Sequence, residues 1–335
     1  MRSRRIFAVL LLCATLLGSQ TVLGSQSVSA QAKVPNDAKA AFDSGDYPKA
    51  IELLNREIAV SPRDAAAQFL LARCYFENEQ FDRAIPAAEA AISLEPSNSE
   101  YHELLGRAYG EKADRSGWFS ALSLAKKARK EFETAVQLNS HNFSAMQALI
   151  EFDCSAPGIA GGGEDKARPE IEKLSALDAA EGAYAAGNCR RQKKDFAAAD
   201  AEFQKALALH PKSADLIYDI GDHYMKHIQP DRLRVVIAEG ERAAPSDPRG
   251  NFFRAVAFVL EKKNEGSASK LLREYIATAP KRNNYPSKGM AHYWLGRIQE
   301  NQNNAAAAKT EYQEALNLEP KNRYAKDALN RLQHD

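Results

Sequence analysis

Apolar positions along the chain fall in short helical stripes separated by polar turns. Between residues 81 and 96, Ala84, Ala88 and Ala91 share one stripe with Ile85, Ile92 and Leu94, and Pro96 ends the helix because it has no N–H to continue the ladder. Upstream, Phe69, Leu71, Ala72, Tyr75 and Phe76 mark another short amphipathic helix, closed by the polar turn ENEQ. A hairpin of two such helices cannot bury its apolar face alone. It must stack on neighbours.

The pattern recurs. The stretch FDSGDYPKAIELLNREIAVSP, ending at Pro62, matches FENEQFDRAIPAAEAAISLEP, ending at Pro96, at a shift of 34 residues. Further copies end at Pro211, Pro245, Pro280 and Pro320. Large and small residues in the first helix, a following aromatic, alanines in the second helix and a closing proline appear as Leu71, Ala72, Tyr75, Ala84, Ala91 and Pro96. They recur as Leu105, Gly106, Tyr109, Ala128, Phe132 and Ala135, as Gly187, Ala199, Phe203, Ala206 and Pro211, and as Leu295, Gly296, Ala308, Tyr312, Ala315 and Pro320.

In these positions the sequence resembles the tetratricopeptide repeat family. The resemblance implies an all-α, right-handed superhelical solenoid of helix-turn-helix units. About eight units follow: 31–64, 65–98, 99–142, 143–179, 180–213, 214–247, 249–282 and 289–322, with a polar capping helix at 323–335. The sixth and seventh are degenerate, with Leu233 and Gly240 where alanines are usual.

Two units are too long. Tyr109 and Ala128 lie 19 residues apart where Tyr75 and Ala84 are 9 apart, and the excess holds DRSGWFSALS, residues 114–123. In the fourth unit Asp153 replaces the tyrosine and Ala167 follows 14 residues later, so about five residues are inserted within SAPGIAGGGEDKA, residues 155–167. From Gly158 to Gly163 the glycine spacing imitates a phosphate-binding loop. Glu164 and Asp165 occupy the places of its Lys and Ser/Thr, however, and the preceding FSAMQALIEF has helical rather than strand periodicity. The glycines read instead as an elongated turn with positive φ, and the two acids as the first turn of the next helix. In the other insertion, Trp118 and Phe119 precede Lys126, Lys127, Arg129 and Lys130. These aromatics either fold back as a lengthened helix or project to a partner or membrane surface; the spacing of Leu122, Leu124, Ala125 and Ala128 favours the helix.

Composition adds compartment and excludes one class of partner. Hydrophobic residues at 44% and charged residues at 27% fit an ordered chain, and 45 Lys and Arg against 44 Asp and Glu leave no basic excess for a nucleic acid. The start, MRSRRIFAVLLLCATLLG, joins three arginines to an apolar run too short to span a bilayer, and small residues end at Ala30. Residues 1–30 therefore read as a signal peptide, whose loss leaves an acidic excess of two and no transmembrane span. SRRIF resembles the twin-arginine export motif, so the route stays open between twin-arginine and general export, and Leu12 before Cys13 argues against lipid anchoring. The expected location is extracytoplasmic, such as the periplasm.

Candidate chemistry is sparse. Asp219, His223 and His227 share a helical face that could meet a metal, but no further ligand accompanies them, and a solvated face is the simpler reading. Cys154 and Cys189 end the first helices of consecutive units; helix axes 8–10 Å apart make a disulfide hard to close. No nucleophile motif is present, so no catalytic residue, cofactor or metal is expected. Carried over from the resemblance, a concave groove would be lined by Phe69, Arg73, Phe76, Arg107, Tyr184, Asn188, Arg191, Tyr218, Asp222, Phe253, Tyr293 and Arg297. Several of these aromatics could equally pack between hairpins. Tyr184 replaces the lysine of the chaperone-tail clamp known in some members, which argues against that ligand. The expectation is a non-enzymatic scaffold or assembly factor of the cell envelope that binds a protein or peptide. Two other readings stay open: a small-ligand or sugar-processing hydrolase around Asp222, Glu151 and His223, and a structural spacer.

Overall fold

A computed structural model describes residues 36–334; the signal peptide read at 1–30 lies outside them. Among the described residues there are 17 α-helices, a single 3-10 turn and no strand, as the helical stripes require. The hairpins are α1 (Asn36–Asp43) with α2 (Tyr47–Val60), α3 (Ala65–Glu77) with α4 (Phe81–Leu94), α5 (Ser99–Asp114) with α6 (Trp118–Leu138), and α7 (Phe143–Ser155) with α8 (Glu164–Leu177). They continue as α9 (Ala179–Gln192) with α10 (Phe196–Ala208), α11 (Ala214–Lys226) with α12 (Pro230–Ala243), α13 (Pro248–Glu261) with α14 (Glu265–Thr278), and α15 (Lys288–Asn301) with α16 (Ala305–Leu318). Helix α17 (Arg323–His334) lies on α16. Each hairpin packs on the next, and successive first helices touch directly, α3 on α5, α5 on α7, α7 on α9, α11 on α13 and α13 on α15. The result is an all-α helical repeat solenoid.

Local chemistry explains the regularity. Asp46, Asp64, Asn98, Asn142, Asp178, Asp195, Ser213, Asp247, Ser287 and Asn304 each accept a backbone N–H at a helix start, satisfying donors that the helix itself leaves free. Helices α2, α4, α12, α14 and α16 stop two residues before Pro62, Pro96, Pro245, Pro280 and Pro320, as expected for the residue preceding a proline. Inside the hairpins, Gly45, Glu79, Lys194, Ile228 and Asn303 adopt positive φ two residues before the second helix, so one tight turn is built five times. Within hairpins, a small residue lets helices approach an aromatic. A Cβ at Gly187 would lie 2.5 Å from the Phe203 ring, and Gly106 against Phe132 and Gly296 against Tyr312 repeat the arrangement.

The two long units depart in different ways. In the third, both helices lengthen: α5 runs to Asp114 and α6 begins at Trp118, so the aromatics join a helix as the spacing favours, yet Trp118 and Phe119 remain 66% and 87% exposed. In the fourth, residues 156–163 form a compact turn around Gly158–Ala160 in 3-10 conformation. Gly161 and Gly163 take φ of +101° and +151°, and a Cβ on Gly162 would sit 2.2 Å from the Ala156 carbonyl oxygen. That fold closes over Asp153, which is buried and held bidentately by Arg129 at 2.9 and 3.2 Å. The residue in place of the repeat's tyrosine is thus half of a buried ion pair.

The expectation for the cysteines is corrected. Cys154 and Cys189 form a disulfide with Cα atoms 5.4 Å apart. Axis separation is the wrong measure here, because both residues occupy the facing edges of α7 and α9, whose backbones meet there. Cys74 is free and buried.

Candidate functional site

First helices of successive hairpins are joined across their shared face by a ladder of polar contacts. Arg107 of α5 donates to Ser144 Oγ of α7 at 3.0 Å, Gln147 of α7 donates to Glu181 of α9, and Gln192 of α9 returns to Glu151 of α7 at 3.2 Å. Further along, Tyr184 donates to Asp219 of α11 at 3.0 Å and Arg191 pairs with the same carboxylate at 2.9 Å. Burial, ahead of repulsion from Asp178, pushes the Glu181 carboxyl up to about 7. Burial, reinforced by Asp219, likewise holds the Tyr184 hydroxyl well above its ordinary value.

The twelve groove candidates divide by burial. Phe69, Arg73, Phe76, Arg107, Arg191, Asp222 and Arg297 are half-buried on this face, whereas Tyr184, Asn188, Tyr218, Phe253 and Tyr293 are buried. Tyr218 and Phe253 stack with centroids 5.6 Å apart and rings 4° from parallel, filling the space between two hairpins. Tyr293 accepts from Arg297 at 2.9 Å and packs on Trp294, Tyr312 and Tyr324. Arg73 lies over Phe42 at 4.5 Å and reaches Phe69 at 5.9 Å, while Asp222 pairs with Lys226 at 2.5 Å.

A cleft of about 530 Å³ opens on the same face, crossing from Phe76 of α3 through Arg107 of α5 and Glu151 of α7 to Gln192 of α9. Phe76 and Arg107 were legible as groove residues and Glu151 as a groove acid of the alternative hydrolase reading, whereas Glu111 and Asp114 were missed, because charged residues on an amphipathic helix read as solvated surface. Glu181 was also missed, since it looks like an ordinary acid in a first turn.

Two constellations do not assemble. Asp219 is taken by Tyr184 and Arg191, His223 Nε2 faces Asp200 at 2.6 Å, and His227 Nδ1 turns to the His223 carbonyl at 2.8 Å. Burial lowers the His223 pKa against the raising pull of Asp200. Among the described residues no group of three His, Cys, Asp or Glu converges as metal ligands. Glu151, Asp222 and His223, the hydrolase candidates, pair with three different residues, Gln192, Lys226 and Asp200 respectively.

A tetratricopeptide repeat family model matches residues 41–108, and a second matches residues 291–322, at opposite ends of this uniform array. Both matched segments are tetratricopeptide repeats. Of solved structures, a monomeric IFIT1 mutant with Gppp-AAAA aligns over 89% of this chain and 70% of its own, at 17% identity and TM-score 0.50, showing the shared fold. A tetratricopeptide repeat protein from Parabacteroides merdae aligns over 89% of this chain and 96% of its own, at 14% identity and TM-score 0.42. No curated protein matches. Tetratricopeptide repeats are protein-interaction modules, and the first-helix face of this array carries the cleft. Among the described residues no helix is long and apolar enough to cross a membrane.

Proposed function

We propose that this tetratricopeptide-repeat protein is a non-catalytic scaffold or assembly factor of the cell envelope, holding a partner polypeptide on its first-helix face. The observation carrying this reading is the cleft spanning four successive first helices, with half-buried Phe76 and Arg107 in its lining. Aromatic and arginine side chains in that state bury large contact area at modest entropic cost, the property that makes them interface anchors. Export is supported by the basic-then-apolar stretch at residues 1–30 and by the Cys154–Cys189 bridge, since such bonds persist in oxidising compartments.

Crosslinking mass spectrometry in the native cell tests the reading. The expected result is a polypeptide partner crosslinked to residues of α3, α5, α7, α9 and α11, with the yield falling in an Arg73→Ala, Asp222→Ala variant. Absence of any partner, or crosslinks confined to the second helices, would overturn it.

A further inference from the structure

The two insertions that break the repeat meet at one place. The lengthened end of α5 and first turns of α6 form one wall of the cleft, and the end of α7 with the 3-10 turn forms the other. Ala113, Ala125, Phe132 and Ala148 give it an apolar lining, and Trp118 and Ile159 stand at its mouth, 66% and 60% exposed. A volume of about 530 Å³ accommodates one aromatic or branched side chain with adjoining backbone. Among the described residues this pairing of walls occurs once, because α7 and α8 form the one hairpin joined by a long turn and only α5 and α6 are lengthened beside it.

Charge selects the occupant. Three carboxylates line the cleft, from Glu111, Asp114 and Glu151. The lining cation, Arg107, is already held by Glu103 at 2.9 Å and by Ser144. Asp114 has no ion-pair partner among the described residues, Glu151 is met by the neutral Gln192 amide, and Glu111 is 3.9 Å from Arg115. Desolvation holds Glu111 above its ordinary pKa against the lowering pull of Arg115. An apolar slot with a net acidic edge favours an apolar group bearing positive charge beside it, and disfavours acidic peptides and anionic lipid.

Building on the scaffold reading, we infer that the cleft takes one large apolar side chain of the partner polypeptide, flanked by Lys or Arg that meet Asp114 and Glu151. Fluorine NMR of the full chain labelled with 5-fluorotryptophan tests this, since Trp118 reports on the cleft and Trp294 is buried elsewhere. The probes are the peptides Gly-Lys-Phe-Lys-Gly, Gly-Glu-Phe-Glu-Gly and Gly-Lys-Ser-Lys-Gly, and vesicles of phosphatidylglycerol.

Titrating the first peptide should shift the Trp118 resonance and leave Trp294 in place. The affinity should weaken as salt rises and fall about tenfold in an Asp114→Lys, Glu151→Lys variant, whose exposed positions leave the fold intact. Ala125→Phe, checked for an unchanged melting profile, should block the slot. Equal binding of the acidic or serine peptide, indifference to the charge reversal, or a Trp118 response to vesicles alone would overturn the inference. If peptide binding fails while in-cell crosslinks to Asp222 persist, the cleft is wrong and the scaffold stands; if those crosslinks are also absent, the scaffold reading fails with it.

Discussion

Glu181 sits at the start of α9 with its carboxyl buried and one amide, that of Gln147, as donor. Its folded pKa of about 7 exceeds the ordinary value of 4.5, so the folded state holds a proton that the unfolded state releases. This contribution is complete below the unfolded pKa and lost as pH rises through about 7. Chemical denaturation should show stability declining from about pH 5 to pH 8, and Glu181→Gln should remove roughly 1–3 kcal/mol of that decline. A variant whose profile parallels the parent would contradict the assignment. At the opposite extreme of size, Gly187→Ala places a methyl 2.5 Å from the Phe203 ring and should cost roughly 1–3 kcal/mol, read in the same denaturation series.

The elements were largely legible because proline, capping residue and helical stripe coincide at each boundary. Pro96 and Pro320 end their helices, Asp64 and Asn304 begin theirs, and periodicity decides the type in between. What sequence could not supply was contact between hairpins. Asp153 reads as a missing tyrosine until Arg129, 24 residues earlier, is seen closing on it. The disulfide was hidden for the same reason, since an axis-to-axis distance says nothing about two cysteines at facing helix edges. Among the groove candidates, aromatic identity alone could not separate Phe69, half-buried on the face, from Phe253, stacked in the core. Because the bridge ties α7 to α9 over a sequence separation of 35, replacing both Cys154 and Cys189 by Ala should cost about 2–4 kcal/mol. Removing Asp153 by Asp153→Ala should cost about 3–5 kcal/mol, as Arg129 then keeps a partly buried, less compensated charge. Melting temperatures of the two variants check both values.

Across the whole array, its first two hairpins meet the connection between α14 and α15. Tyr47 donates to the Lys281 carbonyl, Arg282 pairs with Asp43 at 3.0 Å, and the Asn283 N–H donates to Glu77 at 2.9 Å. The same connection is fixed on its other side by Arg249, which donates to the Asn284 carbonyl at 3.2 Å. Gly45, at φ +79°, is where the chains touch, with a Cβ there lying 2.8 Å from the Lys281 nitrogen. Gly45→Val should therefore loosen this contact and speed amide exchange at residues 281–285 while the central hairpins keep their protection. Scaffold function requires one face of the array to hold a partner. Hydrogen exchange of the full chain, with and without the partner captured in the cell, tests that most directly. Slowed exchange in α3, α5, α7 and α9 is predicted; slowing confined to the second helices, or none, would contradict it.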